Sequence, residues 1–179
     1  MSKCPVTILI ITAAIALAGC SESTSTIAEP SSREEAKQQP LRVKTDPARG
    51  RRWELHWGAA HAYDVASGRL VSRIPLTNTS FTAAREACLP DMLLSRSGAV
   101  IVSSNAEPVL WRIDPDRLAV ERFDIAPDTD KDKDFGFSGL AWSADEKVLH
   151  AVSAVSGSRW EIDLDSATAR KVASTGPGC

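Results

Sequence analysis

Helical periodicity, surplus positive charge and histidine are all scarce in this sequence, and each shortage closes a class of function. From residue 51 onward apolar residues recur at every second position, in short runs bounded by Gly, Pro, Ser or Asp, which excludes a helical fold. The 21 Lys and Arg stand against 23 Asp and Glu, a net charge of −2, so the basic footprint that nucleic acid requires is missing. Histidine occurs three times, at His56, His61 and His150. Zinc takes three or four convergent ligands, so these read as core or surface residues. Ser95, Ser103, Ser104, Ser138 and Ser153 lack the strand-turn-helix context of a nucleophile elbow. With no catalytic set assembled, the expectation is a protein that is not an enzyme and that carries no cofactor.

Long apolar runs are scarce as well. The exception, Val6 to Leu17, follows Lys3 and is too short to span a bilayer comfortably, so it reads as a targeting segment. Leu17-Ala18-Gly19-Cys20 comes next and resembles the lipobox of bacterial lipoproteins. That resemblance implies a signal peptide over residues 1–19 and a lipidated, palmitate-bearing Cys20. Ser21 resembles the outer-membrane default of Gram-negative lipoproteins, which implies a lipid-anchored protein of the cell envelope, facing the periplasm. Removal of Lys3 with the signal leaves 20 basic against 23 acidic residues, a net charge of about −3.

Residues 20–50 are Ser, Thr, Glu, Pro, Ala and Gln with scattered charge and almost no large apolar side chain. Such a segment cannot bury enough surface to offset the entropy of ordering it, and is expected to be a disordered tether. With Cys4 in the signal and Cys20 lipidated, Cys88 and Cys179 are the remaining thiols. In an exported, oxidising setting an even pair favours a disulfide. Closing a loop of about 90 residues would stabilise the fold by roughly 4–5 kcal/mol. Two unpaired thiols, or pairing with another chain, stay open as alternatives.

What the chain has in quantity is repetition. Trp111 and Ile113 recur 49 residues later as Trp160 and Ile162, Asp114 and Asp116 as Asp163 and Asp165, and Phe123 as Val172; one step back from Phe123 lies Ile74. A period of that length built of short alternating strands is the mark of a propeller blade. Strands are expected over Asp91–Ser95, Val100–Ser104, Val109–Asp114 and Ala119–Ile125, and again over Gly139–Ser143, Val148–Ser153, Ser158–Asp163 and Ala169–Ala173. Trp53–Trp57, Ala60–Val65 and Arg69–Leu76 precede them, the last with Leu70, Ser72, Ile74 and Leu76 on one face. The phrases Met92 to Val102 and Phe137 to Leu149 are similar to the inner-strand phrase of the WD-like, NHL-like and lactonase-like propellers. The Trp-Asp dipeptide of true WD repeats is absent, since Arg112 follows Trp111 and Glu161 follows Trp160.

The fold expected over residues 51–179 is therefore all-β, about two and a half four-stranded antiparallel propeller-like blades, with the ring not closed within one chain. Asp130, Asp132 and Asp134, with Asp128 before them, alternate ahead of Gly136 in a run that resembles a calcium loop. Phe135 stands where that loop needs glycine, and Lys131 and Lys133 offset much of the acid, so a solvated loop is the better reading. Trp111 and Trp160 suit packing between sheets; an aromatic contact with carbohydrate or peptide is the competing use. The functional expectation is a protein–protein interaction or scaffold module whose partner is another envelope protein or a second copy. A small-molecule-binding or hydrolytic lactonase-like propeller with a metal at the acidic loop is the first alternative, and a lectin-like oligomer the second.

Overall fold

The computed structural model describes residues 39–77, 88–128 and 136–173, all within the compact unit Ser31–Cys179. Four strands form the first sheet in the order β1 (Arg42–Asp46), β2 (Arg51–His56), β3 (Ala59–Asp64) and β4 (Leu70–Pro75). The second has the order β5 (Met92–Leu94), β6 (Val100–Ser103), β7 (Val109–Ile113) and β8 (Val120–Asp124). After β9 (Ala126–Pro127), the third runs β10 (Phe137–Trp142), β11 (Leu149–Ser153), β12 (Arg159–Asp163) and β13 (Thr168–Ala173), with β9 added in parallel along β13. Each set of four is an antiparallel meander, one blade, and no sheet closes on itself.

β1 lies inside the segment expected to be tether, and it completes a first blade, giving three blades where about two and a half were expected. Arg-Val-Lys-Thr-Asp shows no apolar alternation. The strand is held by its ladder to β2, Arg42 opposite Leu55 through Asp46 opposite Arg51, rather than by burying apolar side chains of its own. A short 3-10 turn, Pro47–Arg49, joins the two strands, and Asp46 caps it by accepting from the Ala48 and Arg49 N–H groups.

One core lies between each pair of neighbouring blades. Trp53, Leu55, Ala60, Ala62 and Ile74 of blade 1 meet Met92, Val100, Val102, Trp111 and Ile113 of blade 2. From the other face of blade 2, Ile101, Leu110 and Phe123 meet Leu149, Ala151, Trp160 and Ile162 of blade 3. The middle blade is thus buried on both faces, which is why β6 reads as the unbroken apolar run Val100-Ile101-Val102.

The 49-residue period sets the strand register in all three blades: Arg51 pairs with Asp64, Val100 with Ile113 and Leu149 with Ile162. It does not set which face each residue takes. Trp53 and Val102 stand at the same step of the ladder, yet Trp53 points forward to blade 2 while Val102 points back to blade 1. Blade 1 runs one residue out of phase, and because side chains alternate, one residue exchanges the faces. The outer hairpin also carries a bulge, where the register shifts between Ala62 and Tyr63. It separates Leu70, which is 50 % exposed, from Ile74 and Leu76, which are buried as expected.

Candidate functional site

Each outer turn opens on an aspartate that holds the turn's own backbone. Asp64 accepts from the Ser67 N–H at 2.7 Å, Asp114 from Asp116 and Arg117 at 2.9 and 2.7 Å, and Asp163 from Asp165 and Ser166 at 2.9 and 3.3 Å. These bonds favour the carboxylate form and hold all three below the ordinary aspartate range; for Asp64 and Asp163 the largest contribution is the serine hydroxyl, for Asp114 the Arg117 N–H. The β6–β7 and β11–β12 turns use serines in the same way. Ser104 accepts from Ala106 and Glu107, and Ser153 from Val155 and Ser156. Ser103 donates to the Phe137 carbonyl, and Ser95 meets Ser97. The hydrogen bonds of these four candidate nucleophiles are structural ones.

Turn residues also lace the blades together. Arg49, at the end of the 3-10 turn, reaches Asp46 at 3.2 Å and Asp116 of blade 2 at 2.9 Å. Gly98 of blade 2 leaves room for it: its φ is +83°, and a Cβ there would collide with the Arg49 guanidinium and lie 2.8 Å from the Asp46 carboxylate. Between blades 2 and 3, Glu146 accepts from the Arg96 N–H at 2.9 Å, and the Arg96 guanidinium donates to the Ala144 carbonyl at 2.6 Å.

At the inner edge one carboxylate serves all three blades. Asp91 Oδ1 accepts from the Met92 N–H at 2.8 Å and faces Arg42 Nε of blade 1 at 3.4 Å, while Oδ2 accepts from the Leu140 N–H of blade 3 at 2.8 Å. Leu140 lies on an inner edge strand whose N–H groups have no ladder partner on that side, so the carboxylate supplies the acceptor. Beside it, Gly139, Ala141, His150, Val152, Arg159 and Val172 line a shallow cleft of about 550 Å³ on the outward face of blade 3.

The most organised polar group lies on the outward face of blade 1. The two-residue turn Trp57-Gly58 pairs His56 with Ala59 and therefore Glu54 with His61 and Arg52 with Tyr63. All five polar residues share one face. Glu54 binds Arg52 at 3.0 Å and His56 at 3.2 Å. The His56 and His61 rings stack at 4.2 Å, Tyr63 meets His61 edge-on at 6.2 Å, and the Arg52 guanidinium covers Tyr63 at 4.9 Å. Burial first, then His56 and Arg73, hold His61 below the ordinary imidazole value, with Glu54 opposing them. Among the described residues no group of three His, Cys, Asp or Glu is arranged to hold a metal ion. What this surface offers is a row of rings edged by guanidinium groups, the composition that recurs at protein interfaces.

Trp111 and Trp160 are each 1 % exposed, in the first and second core respectively. Neither ring face is open to carbohydrate or peptide, and the aromatic contact gives way to packing between sheets. Cys88 is buried with its sulfur 3.3 Å from the Ala154 carbonyl oxygen; Cys179 and Cys20 lie outside the described residues. Asp130, Asp132 and Asp134 lie outside them too. Asp128 is described, and its carboxylate accepts from the Lys171 N–H at 3.0 Å, fastening β9 to β13. Glu54 and Tyr63 were not connected to the histidines in the sequence, although the Trp57-Gly58 turn carried the signal: a two-residue hairpin fixes every cross-strand pair that follows.

No family model and no curated protein matches the chain. Solved structures do match. Over 77% of this chain, hydrazine synthase of Kuenenia stuttgartiensis superposes with a TM-score of 0.55 at 12% identity. Virginiamycin B lyase of Staphylococcus aureus does so over 70% with 0.52 at 17%, and a dihydro-heme d1 dehydrogenase over 75% with 0.51 at 19%. The chain spans 37%, 38% and 27% of the length of those three. At such identities the likeness is one of fold, and the fold is that of a β-propeller, present here as three stacked blades that do not close.

Proposed function

We propose that this is a lipid-anchored envelope protein whose propeller-like domain is an interaction or scaffold module, with the outward face of blade 1 as its binding surface. The observation that carries the reading is the Arg52, Glu54, His56, His61 and Tyr63 group, prearranged on a face that no other described blade covers. Its rings are held by packing and hydrogen bonds, so a partner would meet them with little ordering cost. The lipobox phrase ending at Cys20 supports anchoring, and Ser21 an outer-membrane address. Serines and aspartates engaged in turns support a role without catalysis.

Anchoring is tested by metabolic labelling with a palmitate analogue: label on the wild type, and none on Cys20→Ser, is expected. Partner binding is tested by crosslinking in intact cells followed by purification. A discrete adduct that is lost in Tyr63→Ala and Arg52→Ala, while the melting temperature stays within a few degrees, is the expected result. An adduct insensitive to both substitutions would move the surface elsewhere, and no adduct at all would remove the reading.

A further inference from the structure

We infer that the outward faces of blades 1 and 3 are end caps, closed to a second copy of this chain, so that the three blades are not one part of a ring completed by self-association. The inference goes beyond the partner reading and survives its failure.

Each outward face differs from the interior face of the same kind. Stacking between blades is apolar in both interfaces of the chain. Blade 2 turns Val100, Val102, Trp111 and Ile113 back toward blade 1, and Ile101, Leu110 and Phe123 forward toward blade 3. A ring built from copies would need blade 1 to offer a backward face like the first set and blade 3 a forward face like the second. Because blade 1 runs out of phase, its apolar residues Trp53, Leu55 and Ala62 are all spent on blade 2. The centre of the backward face is left with the cross-strand pairs Arg52 with Tyr63 and Glu54 with His61, flanked by the exposed Val43 and Leu70, where blade 2 has Val100 with Ile113 and Val102 with Trp111.

On blade 3, His150 stands 49 residues after Ile101 and Arg159 49 after Leu110. Val152 and Val172 are the apolar residues retained, each more than a third exposed. Arg170 and Glu161 pair across the same face, as Arg112 and Glu121 do at the same ladder step of blade 2, so the difference lies in His150 and Arg159. Charged side chains stand on both end faces: Arg52 and Arg73 beside Glu54 on blade 1, and Arg159 and Arg170 beside Glu161 and Asp163 on blade 3. Stacking these two faces on one another would desolvate those groups where the interior interfaces bury apolar side chains. Stacked-repeat proteins end in polar-faced caps for the same reason.

The test is sedimentation velocity of the full-length chain in a non-ionic detergent across a wide concentration range. One species of monomer mass is expected. The variant Arg52→Val, Glu54→Val, His61→Trp, which gives blade 1 the backward face of blade 2, is expected to associate with rising concentration. A wild-type dimer or larger ring that falls apart in Arg52→Glu or in Arg159→Glu would overturn the inference. A wild-type assembly indifferent to both would leave the caps standing and place association elsewhere. Should the triple variant fail to fold, the wild-type and single-charge arms decide the matter alone.

Discussion

At the scale of single residues, two kinds of position matter, and they respond differently to change. Trp111 and Trp160 fill the two cores, so Trp111→Ala or Trp160→Ala should cost about 3–5 kcal/mol by denaturant unfolding. A loss under 1 kcal/mol would mean the cores are not where the described contacts place them. His61 responds to pH instead. Its folded value is depressed, so the fold prefers the neutral ring, and the unfolded chain takes up the proton first as pH falls through about 6.5. Stability is therefore expected to be full above that value and to decline below it, levelling once the folded ring itself is protonated. Glu54, His56, Arg73 and Tyr63 all face the ring, so the slope belongs to the group. His61→Gln should flatten the decline between pH 7 and 5, measured by thermal unfolding, and an unchanged slope would place the titration elsewhere.

At the scale of elements, the turns and edges hold the blades in register. Asp91 gives the clearest prediction, because one carboxylate touches three blades. Asp91→Ala leaves the Leu140 N–H without its acceptor and is expected to cost about 1–3 kcal/mol. Amide exchange at Leu140 should quicken well before global unfolding; protection equal to wild type would deny the link. Gly98→Ala should fail more severely than its size suggests, from a left-handed backbone and a collision with Arg49 together. Most of these elements were legible in sequence, since aspartate-led turns and period-two alternation are local signals. β1 was not, because an inner edge strand needs only a ladder partner and its side chains carry no pattern. Nor was the phase slip of blade 1, which changes no composition and shows only when the faces are packed.

At the scale of the whole molecule, a covalent tie between the last blade and the loop before β5 would hold the open stack together. β13 ends at Ala173, opposite Arg159, at the end of blade 3 where the Ala154 turn meets Cys88. Cys179 lies six positions after Ala173, an extended reach of roughly 20 Å. That distance supports a Cys88–Cys179 staple from the last strand to the loop before β5. Non-reducing mass spectrometry after proteolysis should return the two cysteines in one linked peptide. Reduction should then lower stability by a few kcal/mol; free thiols at both positions would remove the staple.

Sequence by itself determined the β character, the 49-residue register and the aspartate that opens each outer turn, since each follows from residues a few positions apart. Only the tertiary structure decided which face each side chain took, how one carboxylate came to serve three blades, and that the histidines of blade 1 met a glutamate. Those outcomes depend on a shift of one residue in a strand and on which sheet lies opposite. Alternation is blind to both, because it reads the same whichever side is buried.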